Sequence, residues 1–155
     1  MEIDVPNFKK MELKHLVMDY NGTLACDGVL VSGVKEVLKN LSKHLQIHIV
    51  TADTYGEVEA TFAQEQYQVK VLPQENQAQE KLNYIRGLHT QNCVCIGNGR
   101  NDRLMLQEAE LSLAVLLEEG LSVETLEHAD ILFNGIIPAL KLFENPLRIK
   151  ATLRS

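Results

Sequence analysis

Asp19 sits in the stretch "HLVMDYNGTLACDG" (His15 to Gly28), directly after the apolar run Leu16, Val17 and Met18 and just before Asn21-Gly22-Thr23. A charge at the end of a hydrophobic strand is costly to desolvate unless something pairs with it or coordinates it. Three other polar features fall at comparable places. They are Thr51 after "IHIV", Lys81 in the early part of a helical pattern, and "GNGRND" (Gly97 to Asp102) after "NCVCI". A carboxylate, a hydroxyl, an ammonium and an acid in a glycine turn together suit phosphoryl transfer. They offer a nucleophile, hydrogen-bond and charge partners for the phosphoryl oxygens, and a carboxylate for a divalent cation. Lys70 rivals Lys81, but it lies inside the strand pattern "QVKVL".

These residues can act together only if the elements between them bring them to one edge. Short apolar runs alternate with helical patterns along the chain, which is the signature of a parallel sheet covered by helices. The spacing predicts strands near Leu13–Met18, Gln46–Val50, Gln68–Leu72, Asn92–Ile96, Leu111–Val115 and Ile131–Phe133. Val34, Val37, Leu38 and Leu41 follow the i, i+3, i+4, i+7 rule behind Ser32 as N-cap, and Leu82, Ile85 and Leu88 follow it behind Asn76. A helix restarts at Gly120-Leu121-Ser122, Pro138 sits in the first turn of another, and Asp53 in "TAD" is placed to cap a helix from about Tyr55. Asp27-Gly28 between Thr23–Cys26 and Val29–Val31 is a strong hairpin signal, so a small β-flap should hang over the end of the first strand. In a parallel sheet the carboxyl ends of the strands share one edge, where ligands bind. Asp19, Thr51 and Gly97–Asp102 therefore converge there, with Lys81 in reach. The expected fold is a Rossmann-like three-layer αβα sandwich, mainly parallel, in one domain over residues 1–155. An N-terminal segment (1–12) and a basic, solvated tail (144–155) would flank it.

The ordered set "DYNGTL", "IVTAD", Lys81 and "GNGRND" resembles the four motifs of the haloacid dehalogenase superfamily, and "DYNGT" with "GNGRNDRLML" is most similar to soluble relatives of the phosphorylation domain of P-type ATPases. The resemblance implies a Mg²⁺-dependent phosphohydrolase or phosphotransferase in which Asp19 becomes an aspartyl phosphate. It implies metal ligation by Asp19, the Asn21 carbonyl and Asn98, with Asp102 beside the metal, holding a bound water or Lys81. Asn21, Gly22, Thr51, Ala52, Lys81 and Asn101 would contact or orient the phosphoryl group. The same resemblance makes Asn21 and Asn98 departures, because the family's phosphatases carry Asp at both positions. An amide at position 21 cannot exchange a proton with leaving group or water, so hydrolysis should be slow. An amide at position 98 should weaken Mg²⁺ binding. A degraded relative that only binds phosphate or a partner is the alternative.

Other readings fit less well. Response-regulator receivers need an acidic pair after the first strand and their phosphorylated Asp on a later one. A dinucleotide loop would need a third glycine in "GNGRND", and Asp102 would face the pyrophosphate. Cys93 and Cys95 alternate with Val94 on one strand face and read as small buried hydrophobes; with Cys26 they form an odd count of reduced thiols. The five histidines show no ligand spacing. A net charge of -6 argues against nucleic-acid binding, and no apolar run is long enough to span a bilayer, so a cytoplasmic chain is expected. The resemblance leaves no room for a cap domain, only the hairpin after Asp19. The expected substrate is a phosphorylated small molecule or a phosphoprotein; an uncapped site implies either a bulky substrate such as a phosphoprotein or a neighbouring copy in a homo-oligomer covering the rim.

Overall fold

A computed structural model describes residues 1–52 and 56–155. The Asp53 capping expectation, with Thr54 and Tyr55, lies outside the described residues. Residues 1–12 are a structural element in their own right, an antiparallel hairpin of β1 (Glu2–Val5) and β2 (Lys9–Glu12) with Asn7 in the turn at φ 60°. Ile3, Val5 and Met11 alternate onto one buried face, too few apolar positions to stand out against the charges around them.

The six expected strands form a single, wholly parallel sheet. They are β3 (His15–Asp19), β6 (Gln46–Thr51), β7 (Gln68–Val71), β8 (Cys93–Gly97), β9 (Leu111–Val115) and β10 (Ile131–Phe133), in the order β10-β9-β8-β3-β6-β7. Asp27 (φ 49°) and Gly28 (φ 77°) turn the flap, β4 (Ala25–Cys26) against β5 (Val29–Leu30), as the Asp-Gly pair required. Because β3 lies between β6 and β8, the strand order reverses at its carboxyl end. This switch point is where open α/β sheets bind ligands, and Asp19 occupies it.

Side chains alternate across β3, so Leu16 and Met18 enter one core and Val17 the other. The first core is covered by α1 (Val34–Leu41), α2 (Glu57–Thr61), α6 (Ile136–Lys141) and α7 (Leu147–Leu153). The second lies under α3 (Gln77–Gly87) and α4 (Arg103–Glu108), with α5 (Val123–Leu126) beside α4. This is the three-layer αβα sandwich. Cys93 and Cys95 are fully buried in the second core, as small hydrophobes, and burial raises both thiol pKa values. Among the described residues no helix is long and apolar enough to cross a membrane.

Two local expectations are corrected. The cap of α1 is Gly33 at φ 88°, not Ser32, and no side chain bonds into the first turn; Asn76 precedes α3 as expected, but in a left-handed conformation without a side-chain bond. Residues 147–153 of the basic tail are helical rather than solvated coil, because Ile149 is buried and anchors α7 against β1.

On the second face, His48 is 3% exposed and bridges Tyr84 and His15 through its two ring nitrogens, at 2.8 and 3.1 Å. Burial, and secondarily the neighbouring His15, push the His48 pKa down from 6.5 to about 4. A lowered folded-state pKa means that the unfolded chain takes the proton first. The stabilisation is therefore complete above pH 6.5 and is lost as pH falls towards about 4. Its size is about 2–3 kcal/mol. Urea unfolding of the His48→Gln variant should show a shallower loss of stability over that window, whereas curves parallel to wild type would contradict this.

Candidate active site

The β3 alternation that sends Val17 into the second core also turns Asp19 towards α3, and the i, i+4 pair Lys81 and Ile85 faces it from that helix. Lys81 Nζ donates to Asp19 Oδ1 and to Asp102 Oδ1, both at 2.6 Å, and the three side chains are almost wholly buried. Burial would favour the neutral amine, but the charges of Asp102 and Asp19 and the two hydrogen bonds outweigh it and raise the Lys81 pKa. Burial pushes Asp19 up to about 6 against the pull of Lys81, with Asp102 adding to the rise. The site thus holds two carboxylates on one ammonium, with Asp19 the one that faces the cavity.

The glycine turn sets the second carboxylate. Asp102 Oδ2 accepts the backbone N–H groups of Asn98 (3.0 Å) and Gly99 (2.9 Å). A Cβ on Gly97 would lie 2.5 Å from Asp102 Cγ, so that position must be glycine. Thr125, fully buried, pins the turn from α5 by donating to the Gly99 carbonyl at 2.7 Å. With Oδ1 on Lys81 and Oδ2 on the two backbone N–H groups, Asp102 holds Lys81 beside Asp19.

The remaining residues are also brought together. A cavity of about 550 Å³ at this edge is lined by Asp19, Asn21, Thr51, Ala52, Asn98 and Asn101 among others, and Gly28 at the flap tip forms part of its wall. Asn21 is exposed into it, Thr51 is buried beneath it, and Asn101 is tied to Gln77 by a 2.6 Å hydrogen bond. Gly22, expected to contact the phosphoryl group, has a conformational part at this edge. Its N–H is donated to the Ala25 carbonyl (2.7 Å), and at φ 77° a Cβ there would come within 2.3 Å of the Asn98 amide. Lys70, the rival to Lys81, is exposed on β7.

Thr23 is the residue that sequence reasoning missed. Its buried hydroxyl lies 3.3 Å from Asp19 Oδ2 and 3.1 Å from Asn98 Oδ1, between the carboxylate and the amide. The signal was the hydroxyl in "DYNGT", which the hairpin pattern had absorbed. Asn98 also donates through Nδ2 to the Gly120 carbonyl at 3.0 Å, so an amide here satisfies a loop carbonyl that a carboxylate would repel. For a divalent cation, the donors in this region are hard oxygens, from Asp19, the Asn98 amide and the Asn21 carbonyl. That set fits Mg²⁺-type ions and, with position 98 an amide, leaves Asp19 and Asp102 as the acids on Lys81 beside it, which makes the fit a weak one.

No protein-family model matches the chain. Among solved structures, the 3-deoxy-D-manno-octulosonate 8-phosphate phosphatase of Moraxella catarrhalis, in complex with magnesium, phosphate and KDO, is 17% identical and superimposes at a TM-score of 0.65, covering 91% of this chain and 89% of that one. The cobalt-bound enzyme of Haemophilus influenzae gives 12% identity and a TM-score of 0.67, over 92% and 91%. The chain has the haloacid dehalogenase fold. The catalytic domain of the CPx-ATPase CopB-B shares that fold at 25% identity and a TM-score of 0.60, over 76% of this chain and 47% of that chain. In Methanocaldococcus jannaschii, the uncharacterized protein MJ0073 is 38% identical over 78 residues, 48% of this chain and 84% of its own length. The uncharacterized protein MJ0072 of the same organism is 46% identical over 39 residues, 25% of this chain and 89% of its own length. The chain belongs to one family with these two proteins.

Proposed function

We propose that this haloacid dehalogenase-fold chain is a divalent-metal-dependent phosphohydrolase or phosphotransferase that works through an aspartyl phosphate on Asp19. The observation that carries it is the placement of Asp19 at the switch point of the sheet, held by Lys81 at 2.6 Å with Asp102 behind. A carboxylate kept there without chemistry would be an unrewarded desolvation cost. Asp19, the Asn21 carbonyl and Asn98 would hold Mg²⁺, which when bound offsets charge on the phosphoryl oxygens.

An Asp19 carboxylate oxygen attacks phosphorus, forming the acyl phosphate while the bond to the leaving oxygen breaks. Lys81 neutralises charge on Asp19 and on the incoming phosphoryl group, and Thr51 donates a hydrogen bond to a phosphoryl oxygen. Thr23 holds Asp19 and Asn98 in register. Asn21 orients but neither gives nor takes a proton, so the leaving group departs unprotonated by the protein and water attacks the acyl phosphate without a base. That absence costs about 10²–10⁴ in rate. The substrate class is a phosphorylated small molecule or a phosphoprotein. All three free cysteines fit a reducing, cytoplasmic setting. Val29 on the flap and Val123 at the start of α5 stand exposed on elements that flank the rim, an apolar contact that a neighbouring copy closing over the site would bury.

The test is hydrolysis of p-nitrophenyl phosphate, whose good leaving group least needs an acid. Turnover should require Mg²⁺ and vanish in Asp19→Asn; turnover that survives this substitution would sink the reading. Asn98→Asp gives a metal readout independent of activity. Without metal the variant should be less stable by about 1 kcal/mol or more, because the bond to the Gly120 carbonyl is replaced by repulsion. Added Mg²⁺ should raise its melting temperature at lower concentration than in wild type. A variant whose melting ignores Mg²⁺ would contradict the assignment of Asn98 to the metal.

A further inference from the structure

The cavity above Asp19 does not end at the site. Gln74, Gln77 and Asn101 line it and also line a second hollow of about 590 Å³, which runs between the start of α3 and the glycine turn towards Arg100 and Arg103. The Gln77–Asn101 hydrogen bond forms the sill between the two. The shared residues are amides, and among the described residues no aromatic ring lines either hollow. Such a surface offers paired donors and acceptors to a peptide backbone.

The charges along this groove are ordered. Glu57 at the start of α2 and Glu119 line the Asp19 cavity, and Glu119 also accepts the Asp27 N–H of the flap at 2.7 Å. Arg100 and Arg103 line the far hollow. Both arginines face Glu124, at 2.8 and 3.6 Å, but Arg100 and Glu124 are well exposed, with side-chain accessibilities of 68% and 49%. Exposed pairs of this kind contribute little, so an anionic group on a ligand can displace Glu124 at small cost.

We propose that the site accepts an extended phosphorylated peptide segment, laid along the amide-lined groove with its phosphoryl group at Asp19. An acidic residue would reach Arg100 and Arg103 on one side, and a basic residue would meet Glu57 and Glu119 on the other. This rests on the phosphoryl-transfer reading of Asp19 and adds the substrate class. Length and charge order give the selectivity that a cap domain would otherwise supply.

The test uses two phosphoserine peptides of identical composition, one with glutamates before and lysines after the phosphoserine, the other reversed. Binding is measured by fluorescence anisotropy to the Asp19→Asn protein, so that it does not depend on turnover. One arrangement should bind about tenfold more tightly than its reverse and than free phosphoserine. Arg100→Gln should shrink that preference, and Glu124→Gln, which frees the arginines, should enlarge it. Thermal melting checks that each variant is folded. Equal binding of the two peptides, or a preference that neither variant changes, overturns the proposal. Hydrolysis of p-nitrophenyl phosphate separates the two claims. Turnover without peptide discrimination defeats the groove alone, and discrimination without turnover defeats the hydrolase reading alone.

Discussion

Lys81→Met will lower the unfolding free energy by about 3–5 kcal/mol, because it leaves two buried carboxylates facing each other with no cation. Lys81 is 1% exposed and its ammonium is the shared partner of Asp19 and Asp102 at 2.6 Å each. Asp102 has two backbone donors besides the lysine, whereas Asp19, with the Tyr20 backbone and the Thr23 hydroxyl beside it, has in Lys81 its neutralising charge and also faces the cavity. The loss should therefore fall mainly on Asp19. Combining Lys81→Met with Asp19→Asn should recover part of the stability, a non-additivity that a double-mutant cycle in urea reads directly. Additive losses would mean that the two residues are not the coupled pair described above.

Asn21→Asp should raise steady-state phosphatase activity by up to about 10²–10⁴, or about 3–5 kcal/mol of barrier, where breakdown of the phosphoenzyme limits turnover. The Asn21 side chain is exposed into the cavity, so the substitution adds a carboxylate without burying one. There it can protonate the leaving oxygen and then take a proton from attacking water. Single-turnover measurements separate the two half-reactions, and faster decay of preformed phosphoenzyme is the expected signature. An unchanged decay rate would show that position 21 does not reach the attacking water.

The sheet and the site were legible in the sequence for the same reason. Parallel strands buried on both faces read as bare apolar runs, so a carboxylate after "HLVM" or a glycine turn after "NCVCI" stands out at the strand's end. Lys81 was harder, because most lysines on helices are solvated and its burial follows from where α3 lands. The hairpin at residues 1–12 and helix α7 were not legible. Each is short and charged, and each is held by a few residues, Ile3, Met11 and Ile149, whose burial depends on the rest of the fold. Thr23 and the second engagement of Asn98 were hidden because both act through contacts 75 and 22 residues away along the chain. The contact of Asp102 with Lys81 was one of two left open by the sequence, and it depends on where the turn aims its two backbone N–H groups.

The central claim is that Asp19 forms a covalent bond to phosphorus. Native protein incubated with Mg²⁺ and acetyl phosphate, quenched in acid and digested, should yield a single phosphorylated peptide containing "HLVMDYNGT". The phosphoryl group should lie on Asp19 and be absent from the Asp19→Asn protein and from samples without divalent metal. Failure of both the native protein and Asn98→Asp to form phospho-Asp19 at saturating Mg²⁺, with the fold intact, would contradict the account and leave a phosphate- or partner-binding module in its place.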